Sequence, residues 1–489
     1  MFSNTEHHSQ DRREIWQATL ALSLGVGLIY LAFLKPGIWG FDGTDMFEVA
    51  NSLVTKGNFT VSPGAGQLGR DGQYYSIRYP LLPIISTPFV AIGLFVGQLL
   101  HLPERYVASV CALLVPIILT AITTSLVVLI ALRLGSNKQS AYLAALSYAF
   151  GSAAFVYAHQ FFAEPLLSLL TSLSVYLALG KTEKERVIAS GLAGLAITAK
   201  PAGIVIGPVL AAYFFCKKYS WRTVISPIAG TATGMLLYFG YNYLRFESFT
   251  KSGQNSSRFE FGGFIERFVG LIFSPGAGGG LLWYCTPVIL AAIAIYKLWK
   301  KKPIEALLVF GIFSGYWVLH SFWKFGGWSW GPRFLIPTLP VLFAVIALLE
   351  KRWWKLLIIL SIVGFLGNAP TLFSFYQRYY AEANDGGYLK KALSLWGHPT
   401  YAPIFNAWGA GLRQLADAFA NDVSEVLKNA GTPPDGNKLA SSDLLRIVAV
   451  WWWVLPAAGI SVWVGAIFAL FLILGGIWMI RRGWMLMST

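Results

Sequence analysis

The sequence predicts an all-α polytopic membrane protein with about twelve transmembrane helices. Three observations carry that reading. Of the 489 residues, 55% are hydrophobic and only 12% charged, with a mean hydropathy of +0.57, far from the balance of a soluble enzyme. Apolar runs near the roughly 20 residues that a helical span needs recur along the chain. Lys and Arg gather at the ends of these runs. The formal net charge of +15 is therefore positive-inside usage and attraction to anionic lipid, and no nucleic-acid partner is expected. The 19 Trp and 22 Tyr supply the aromatic belts that membrane boundaries require.

The first fifteen residues are polar and hold His7, His8, Arg12 and Arg13. Residues 16–34 form the first helix. Its apolar run is long and lacks a cleavage-like ending, which predicts an uncleaved span with a cytoplasmic N-terminus. A long outer segment follows, over 36–105. It opens with Gly-Phe-Asp-Gly-Thr-Asp-Met-Phe-Glu at 40–48, passes a Gly-rich turn region at 57–72, and reaches Tyr74-Tyr-Ser-Ile-Arg-Tyr-Pro80. Residues 81–100 are apolar enough to span. They carry Pro83, Pro88, Gly93 and Gly97, however, and the charge rule fails if they cross. They are expected to form a juxtamembrane or re-entrant helix buried against protein.

With that choice, spans at 106–132, 142–158, 166–179, 187–199, 204–215, 224–241, 281–295, 304–320, 334–349, 356–373 and within 447–480 put every dense basic turn inside. The outer segments are then 242–280, 324–333 and 377–446. The last reads as an amphipathic helix over 403–427 and a Gly/Pro loop at 431–436. The division expected is a transmembrane module over 1–376, a partly helical outer segment over 377–446, and a last helix with a basic tail over 447–489. The setting is the cell (plasma or inner) membrane. Cys111, Cys216 and Cys285 show neither pairing nor metal-ligand spacing.

This topology collects costly groups at one boundary. Asp42, Asp45 and Glu48 fall within seven residues. If a helix runs from Thr44, Asp45 and Glu48 share a face and Asp42 lies near the N-cap. Arg78, Arg105, His159, Glu164, Lys200 and Arg333 arrive at the same side. A cap and a solvated first turn would explain the acids alone, snorkelling would explain Lys200 and Arg333, and a satisfied interfacial histidine would explain His159. Carboxylates mixed with cations describe a site that binds an anionic headgroup and still holds a base.

These residues resemble the glycosyltransferase C superfamily, which includes protein O-mannosyltransferases and the aminoarabinose transferase of lipid A. The resemblance lies in the first outer stretch through Gly57, in Tyr74-Tyr-Ser-Ile-Arg-Tyr-Pro80, Ala158-His-Gln-Phe-Phe-Ala-Glu-Pro165, Thr198-Ala-Lys-Pro201, Tyr241-Asn-Tyr-Leu-Arg-Phe246, Ser274-Pro-Gly276 and Gly327-Trp-Ser-Trp-Gly-Pro-Arg333, over about the first 340 residues. It implies transfer of a sugar from a polyprenyl-phosphate carrier to a glycan, lipid or protein acceptor on the outer face, with inversion. The family's catalytic aspartate falls on Asp42. Family members often have Asp-Glu there, whereas this chain has Asp42-Gly43, which leaves Asp45 and Glu48 as alternatives for the second role. The resemblance also implies Lys200 near the carrier phosphate, with Arg333, Arg78 and Arg105 as further phosphate contacts. Glu164 takes the place of a second acid, with His159 beside it. The resemblance allows a divalent cation on Asp42 and Glu164, but no ligand spacing demands one. The competing classes are a transporter or lipid flippase, which wants its charges near the midplane, and a membrane scaffold, which does not need them.

Overall fold

The computed structural model describes residues 3–38, 40–254, 258–324, 327–420 and 449–488. Helix dominates it. In chain order come α1 (Ser3–Ala32), α2 (Phe41–Lys56), a small antiparallel hairpin of β1 (Gln67–Leu68) and β2 (Tyr74–Tyr75), α3 (Leu81–Leu99), α4 (Glu104–Ala112), α5 (Leu114–Leu134), α6 (Lys138–Gly151), α7 (Ala163–Ala178), α8 (Glu183–Ala199) and α9 (Ile206–Cys216). Then follow α10 (Trp221–Phe246), α11 (Phe264–Phe273), α12 (Ile289–Lys301), α13 (Pro303–Ser321), α14 (Leu339–Ile346), α15 (Trp354–Asn368), α16 (Gln377–Asp385), α17 (Pro403–Ala420) and α18 (Val462–Leu486), with shorter turns between them.

Among the described residues, seven helical stretches are long and apolar enough to cross a membrane: Gln10–Ala32, Leu81–Leu99, Glu104–Leu134, Trp221–Phe246, Pro303–Ser321, Lys351–Phe373 and Val462–Leu486. Three shorter apolar helices accompany them, Ala163–Ala178, Pro201–Cys216 and Arg333–Ile346. The chain is a multi-pass membrane protein. The seven long candidates include Leu81–Leu99, the stretch expected to be re-entrant, and with the three shorter helices they make ten among the described residues, short of the expected twelve crossings.

Several expected spans are broken, each for a local reason. The run 142–158 is interrupted at Ser152, after Gly151 and before a short helix over Ala154–Ala158, where α15 crosses so closely that a Cβ on Gly364 would lie 2.2 Å from the Gly151 carbonyl oxygen. The run 281–295 is interrupted at Cys285–Pro287, and α12 begins only at Ile289. The last crossing starts later than expected. Residues Trp451–Ala458 form a 3₁₀ turn ended by Gly459 at φ 73°, and the Trp451 and Trp452 indoles donate to the carbonyls of Leu31 and Ala32 at the end of α1. The amphipathic helix expected over 403–427 runs over Pro403–Ala420; its remainder and the loop at 431–436 lie outside the described residues.

Two contacts fix how the bundle closes. Helix α18 crosses α1 glycine on glycine: a Cβ on Gly476 would meet the Gly25 carbonyl oxygen at 2.6 Å. Small residues let the two backbones approach, as membrane helices require. At the far end of α1, the buried Lys35 ammonium donates to the carbonyls of Thr371 (2.5 Å), Leu372 (3.1 Å) and Ser374 (3.1 Å). It satisfies the carbonyls at the end of the α15 region, which have no helical partner.

The first loop is tied to one short helix. Arg78, three residues before α3, pairs with Asp42 and Asp45 on α2. Arg105, just after α3, pairs with Glu48 on the same helix. Gly93 and Gly97 let α3 fold back on Ala108 and Glu104 of α4. The first loop thus carries its helices out and back against α2.

Filling the α1–α18 crossing tests this packing. Gly476→Leu is expected to destabilise the chain by about 1–3 kcal/mol, the usual cost of overpacking, and to lower the melting temperature in detergent. Gly240→Leu, where a side chain meets nothing within 4 Å, is expected to leave it unchanged.

Candidate functional site

The site forms where four helix breaks converge. Gly40, at φ 110°, starts α2 from a backbone geometry that suits glycine. Gly40 therefore occupies the N-cap, and Asp42 lies inside the first turn instead of capping it. Glu164 falls in the first turn of α7, where the helix dipole favours an anion. Pro201 stops α8, leaving Lys200 extended at φ −164° and ψ 133°. Gly331, at φ 60°, and Pro332 turn the chain so that Arg333 begins the next 3₁₀ helix.

Arg333 joins two of these acids. Its Nη2 donates to Asp42 Oδ2 at 2.5 Å and its Nε to Glu164 Oε1 at 2.7 Å. Lys200 Nζ donates to the same Glu164 oxygen at 2.6 Å. Arg78 closes the other side, with Nη2 2.6 Å from Asp42 Oδ1 and Nε 3.4 Å from Asp45 Oδ2. Arg333 also lies over the Phe162 ring at 4.2 Å, and Lys200 over the Phe334 ring at 4.2 Å. The chain from Asp45 through Arg78, Asp42 and Arg333 to Glu164 and Lys200 is continuous. Glu164 is fully buried, and its Oε2 has no hydrogen-bond partner.

Asp42, Arg78, Lys200 and Arg333 line a cavity of about 1610 Å³. One part of its wall is apolar, with Ile204, Met235 and Leu319; another is polar, with Gln377, Glu382 and Asp385. Burial acts to raise the Asp42 pKa. The Arg333 and Arg78 guanidiniums outweigh it and hold the carboxyl well below the ordinary carboxylate range. At Asp45 burial dominates. Arg78 opposes it, the Asp42 charge adds to it, and the pKa is pushed up to about 7.

The expected site residues divide into two groups. Asp42, Asp45, Arg78, Glu164, Lys200 and Arg333 come together. Glu48 and Arg105 pair with each other two turns along α2 and do not line the cavity. His159 is buried elsewhere, with Nδ1 2.6 Å from the Phe155 carbonyl oxygen and Nε2 2.8 Å from that of Tyr30, which leaves its ring no free nitrogen for an ion. The Arg333 guanidinium occupies the space between Asp42 and Glu164, so these two acids do not fit a shared divalent cation. Among the described residues, no three His, Cys, Asp or Glu side chains gather as ligands for an ion.

No family model matches the chain, and no curated protein matches it. Solved structures do. ArnT from Cupriavidus metallidurans in the apo state aligns with a TM-score of 0.52 at 16% identity, over 95% of this chain and 76% of that one. The same protein bound to undecaprenyl phosphate gives 0.49 at 15%, over 96% and 77%. The Archaeoglobus fulgidus oligosaccharyltransferase in the apo form gives 0.46 at 13%, over 86% and 59%. The chain shares its overall fold with ArnT.

Within this fold, the Tyr241–Phe246 motif acquires a job that its sequence did not disclose. Arg245, buried in α10, donates Nη1 to the carbonyls of Ser76 and Arg78 and Nη2 to Asn242 Oδ1 at 2.6 Å. It therefore fixes the backbone that presents Arg78. Tyr79, Gln254, His320 and Trp328 also line the cavity. Gln254 donates to Tyr79 Oη at 3.0 Å, and His320 stacks on Phe334 at 4.7 Å. Tyr79 and Trp328 stand within the motifs quoted above without an assigned role, whereas Gln254 and His320, in loop and apolar context, carried no signal beyond polarity.

The raised Asp45 pKa has a sign that can be measured. The folded chain holds this proton up to about pH 7, and the unfolded chain loses it near 4. Its contribution to stability is therefore full below pH 4 and is lost as pH rises to 7. Asp45→Asn removes that loss. The variant is expected to be more stable than the parent at pH 8, by on the order of 1–4 kcal/mol, and equal to it at pH 4, as read from melting curves in detergent.

Proposed function

We propose that the chain is a membrane glycosyltransferase that moves a sugar from a polyprenyl-phosphate carrier to an acceptor hydroxyl on the outer face of the membrane, with inversion. The observation that carries this reading is Arg333, shared between Asp42 and Glu164 at the wall of a cavity with an apolar side and a polar side. An apolar wall suits a polyprenyl chain, and Lys200 and Arg333 suit its phosphate. The motifs that resemble the superfamily, and the ArnT type of fold, support the same class. The charges gather around one cavity that has an apolar and a polar wall, which suits an enzyme acting on a lipid-linked substrate.

The reaction is a single displacement. The acceptor oxygen bonds to the anomeric carbon as the bond from that carbon to the phosphate oxygen breaks. The electron pair leaves on the polyprenyl phosphate, and the acceptor's proton passes to Asp42. Lys200 and Arg333 stabilise the charge that develops on the departing phosphate. At rest Arg333 and Arg78 keep Asp42 ionised but weakly basic. A phosphate that draws Arg333 toward itself loosens the pair with Asp42 and raises its basicity when the acceptor is in place. Asp45 shares Arg78 with Asp42 and adjusts the charge of the site. Glu164 orients both Lys200 and Arg333. Under this reading 1–376 is the catalytic module, 377–446 the outer segment and 447–489 the last helix and tail, with the N-terminus in the cytoplasm.

Release of sugar from a polyprenyl-phosphate donor by the purified chain tests the class. Asp42→Asn keeps the size and removes the base. Transfer is expected to fall about 10²–10⁴-fold while the donor still binds. Full transfer by Asp42→Asn would move the base elsewhere, and no transfer by the parent with any polyprenyl-phosphate sugar would remove the class.

A further inference from the structure

Two amphipathic helices beside the cavity are turned the wrong way for water. On α11, Ile265, Val269 and Phe273 form an exposed row at i, i+4 spacing, continued by Phe261 ahead of the helix. Its cation points inward: Arg267 is 7% exposed, donates Nε to the Ser321 carbonyl at 2.8 Å and pairs with Glu260 at 3.3 Å. On α17, Phe405, Trp408 and Leu412 face outward at 50%, 42% and 55% exposure. The inward side holds Ile404, small residues and Gln414, whose Oε1 accepts from the Phe375 amide at 3.0 Å. A water-facing helix shows the opposite arrangement.

Each helix hangs on the site-side end of a span. Trp317 of α13 donates its indole N–H to the Phe268 carbonyl of α11 at 2.7 Å, and the two rings stack at 3.9 Å. Trp408 of α17 donates to the Leu366 carbonyl of α15 at 3.1 Å. Its outward row continues the face of α15 that exposes Ile362, Val363 and Leu366, a face that meets lipid in a spanning helix. Neighbouring segments join the two helices: Trp283, in the turn after α11, contacts Phe405 of α17 at 5.4 Å, and Trp396, ahead of α17, donates to the Glu266 carbonyl of α11 at 3.1 Å. Indoles with a satisfied N–H and an apolar body are what a membrane boundary selects.

We propose that α11 and α17 form a collar seated in the acyl–headgroup boundary of the leaflet on the side of the cavity, with the bilayer itself as the occupant of their outward rows. The collar holds the cavity mouth at headgroup depth, so a lipid-borne ligand reaches it by moving along the leaflet. The inference rests on membrane crossing alone and stands whether or not the chain transfers sugar.

Photo-crosslinking in the full chain tests it. p-Benzoylphenylalanine is placed at Ile265 or Leu412, with Ile362 as the lipid-facing control and Lys390 as the exposed polar control. Each variant is reconstituted in phosphatidylethanolamine–phosphatidylglycerol vesicles, checked for folding by size-exclusion elution, irradiated and weighed intact. Positions 265 and 412 are expected to gain the mass of one phospholipid, as 362 does, and 390 to gain none. Chain-to-chain adducts at 265 or 412 would assign the rows to a second copy and overturn the collar. No adduct at either position while 362 captures lipid would place the rows in water and overturn it equally.

Discussion

A single guanidinium sets the geometry of this molecule's polar centre. Arg333 reaches Asp42 on α2 and Glu164 on α7 at the same time, so three stretches far apart in sequence are locked at one point. Taking these charges out of water costs several kcal/mol per ion. The cost is met only because each charge has a counter-charge at hydrogen-bond distance. Lys200 shares the Glu164 oxygen with Arg333, and Arg78 shares Asp42 with it. Removing one member leaves its neighbours buried and uncompensated, which makes the cluster a unit rather than a set of independent pairs.

The membrane explains why the cluster lies at helix ends. Backbone that leaves helical geometry inside a bilayer is tolerated only where protein or a water-filled cavity receives it. Gly40, Pro201 and the Gly331–Pro332 turn leave helical geometry beside such a cavity, and each delivers a charged side chain to it. Elsewhere glycine serves close packing: Gly25 against Gly476 and Gly151 against Gly364 bring helices together where lipid gives no hydrophobic drive. Arg245 and Lys35 do comparable work with charge, bracing a loop and a helix end by donating to carbonyls.

Much of the centre was legible in the sequence because charge is scarce there. Three acids within seven residues after a greasy helix, a lysine before Pro201 and an arginine after Gly331-Pro332 stand out against an apolar background. Their partners were not legible. Arg78 and Arg105 read alike, yet one joins the cavity and the other serves Glu48, because pairing depends on how α3 folds back. His159 resembles a ligand by type, and only the carbonyls around it show that it is used up. Arg245 stood only as part of the Tyr241–Phe246 motif, and its bracing role needs the 76–78 backbone beside it. The break after Gly151 was invisible because no proline marks it; it comes from the approach of α15. Membrane character followed from composition and charge bias, while helix ends shifted wherever tertiary contact overrode hydropathy.

The central claim is that Arg333 and Lys200 form an anion site beside an ionised Asp42. Binding of a short-chain polyprenyl phosphate to the purified chain, measured by isothermal calorimetry, tests it most directly. Charge-assisted contacts to phosphate are worth roughly 1.5–3 kcal/mol, so Arg333→Gln is expected to weaken binding by about 10–150-fold, with folding verified by an unchanged size-exclusion profile. Unaltered affinity in a folded Arg333→Gln chain would contradict the account.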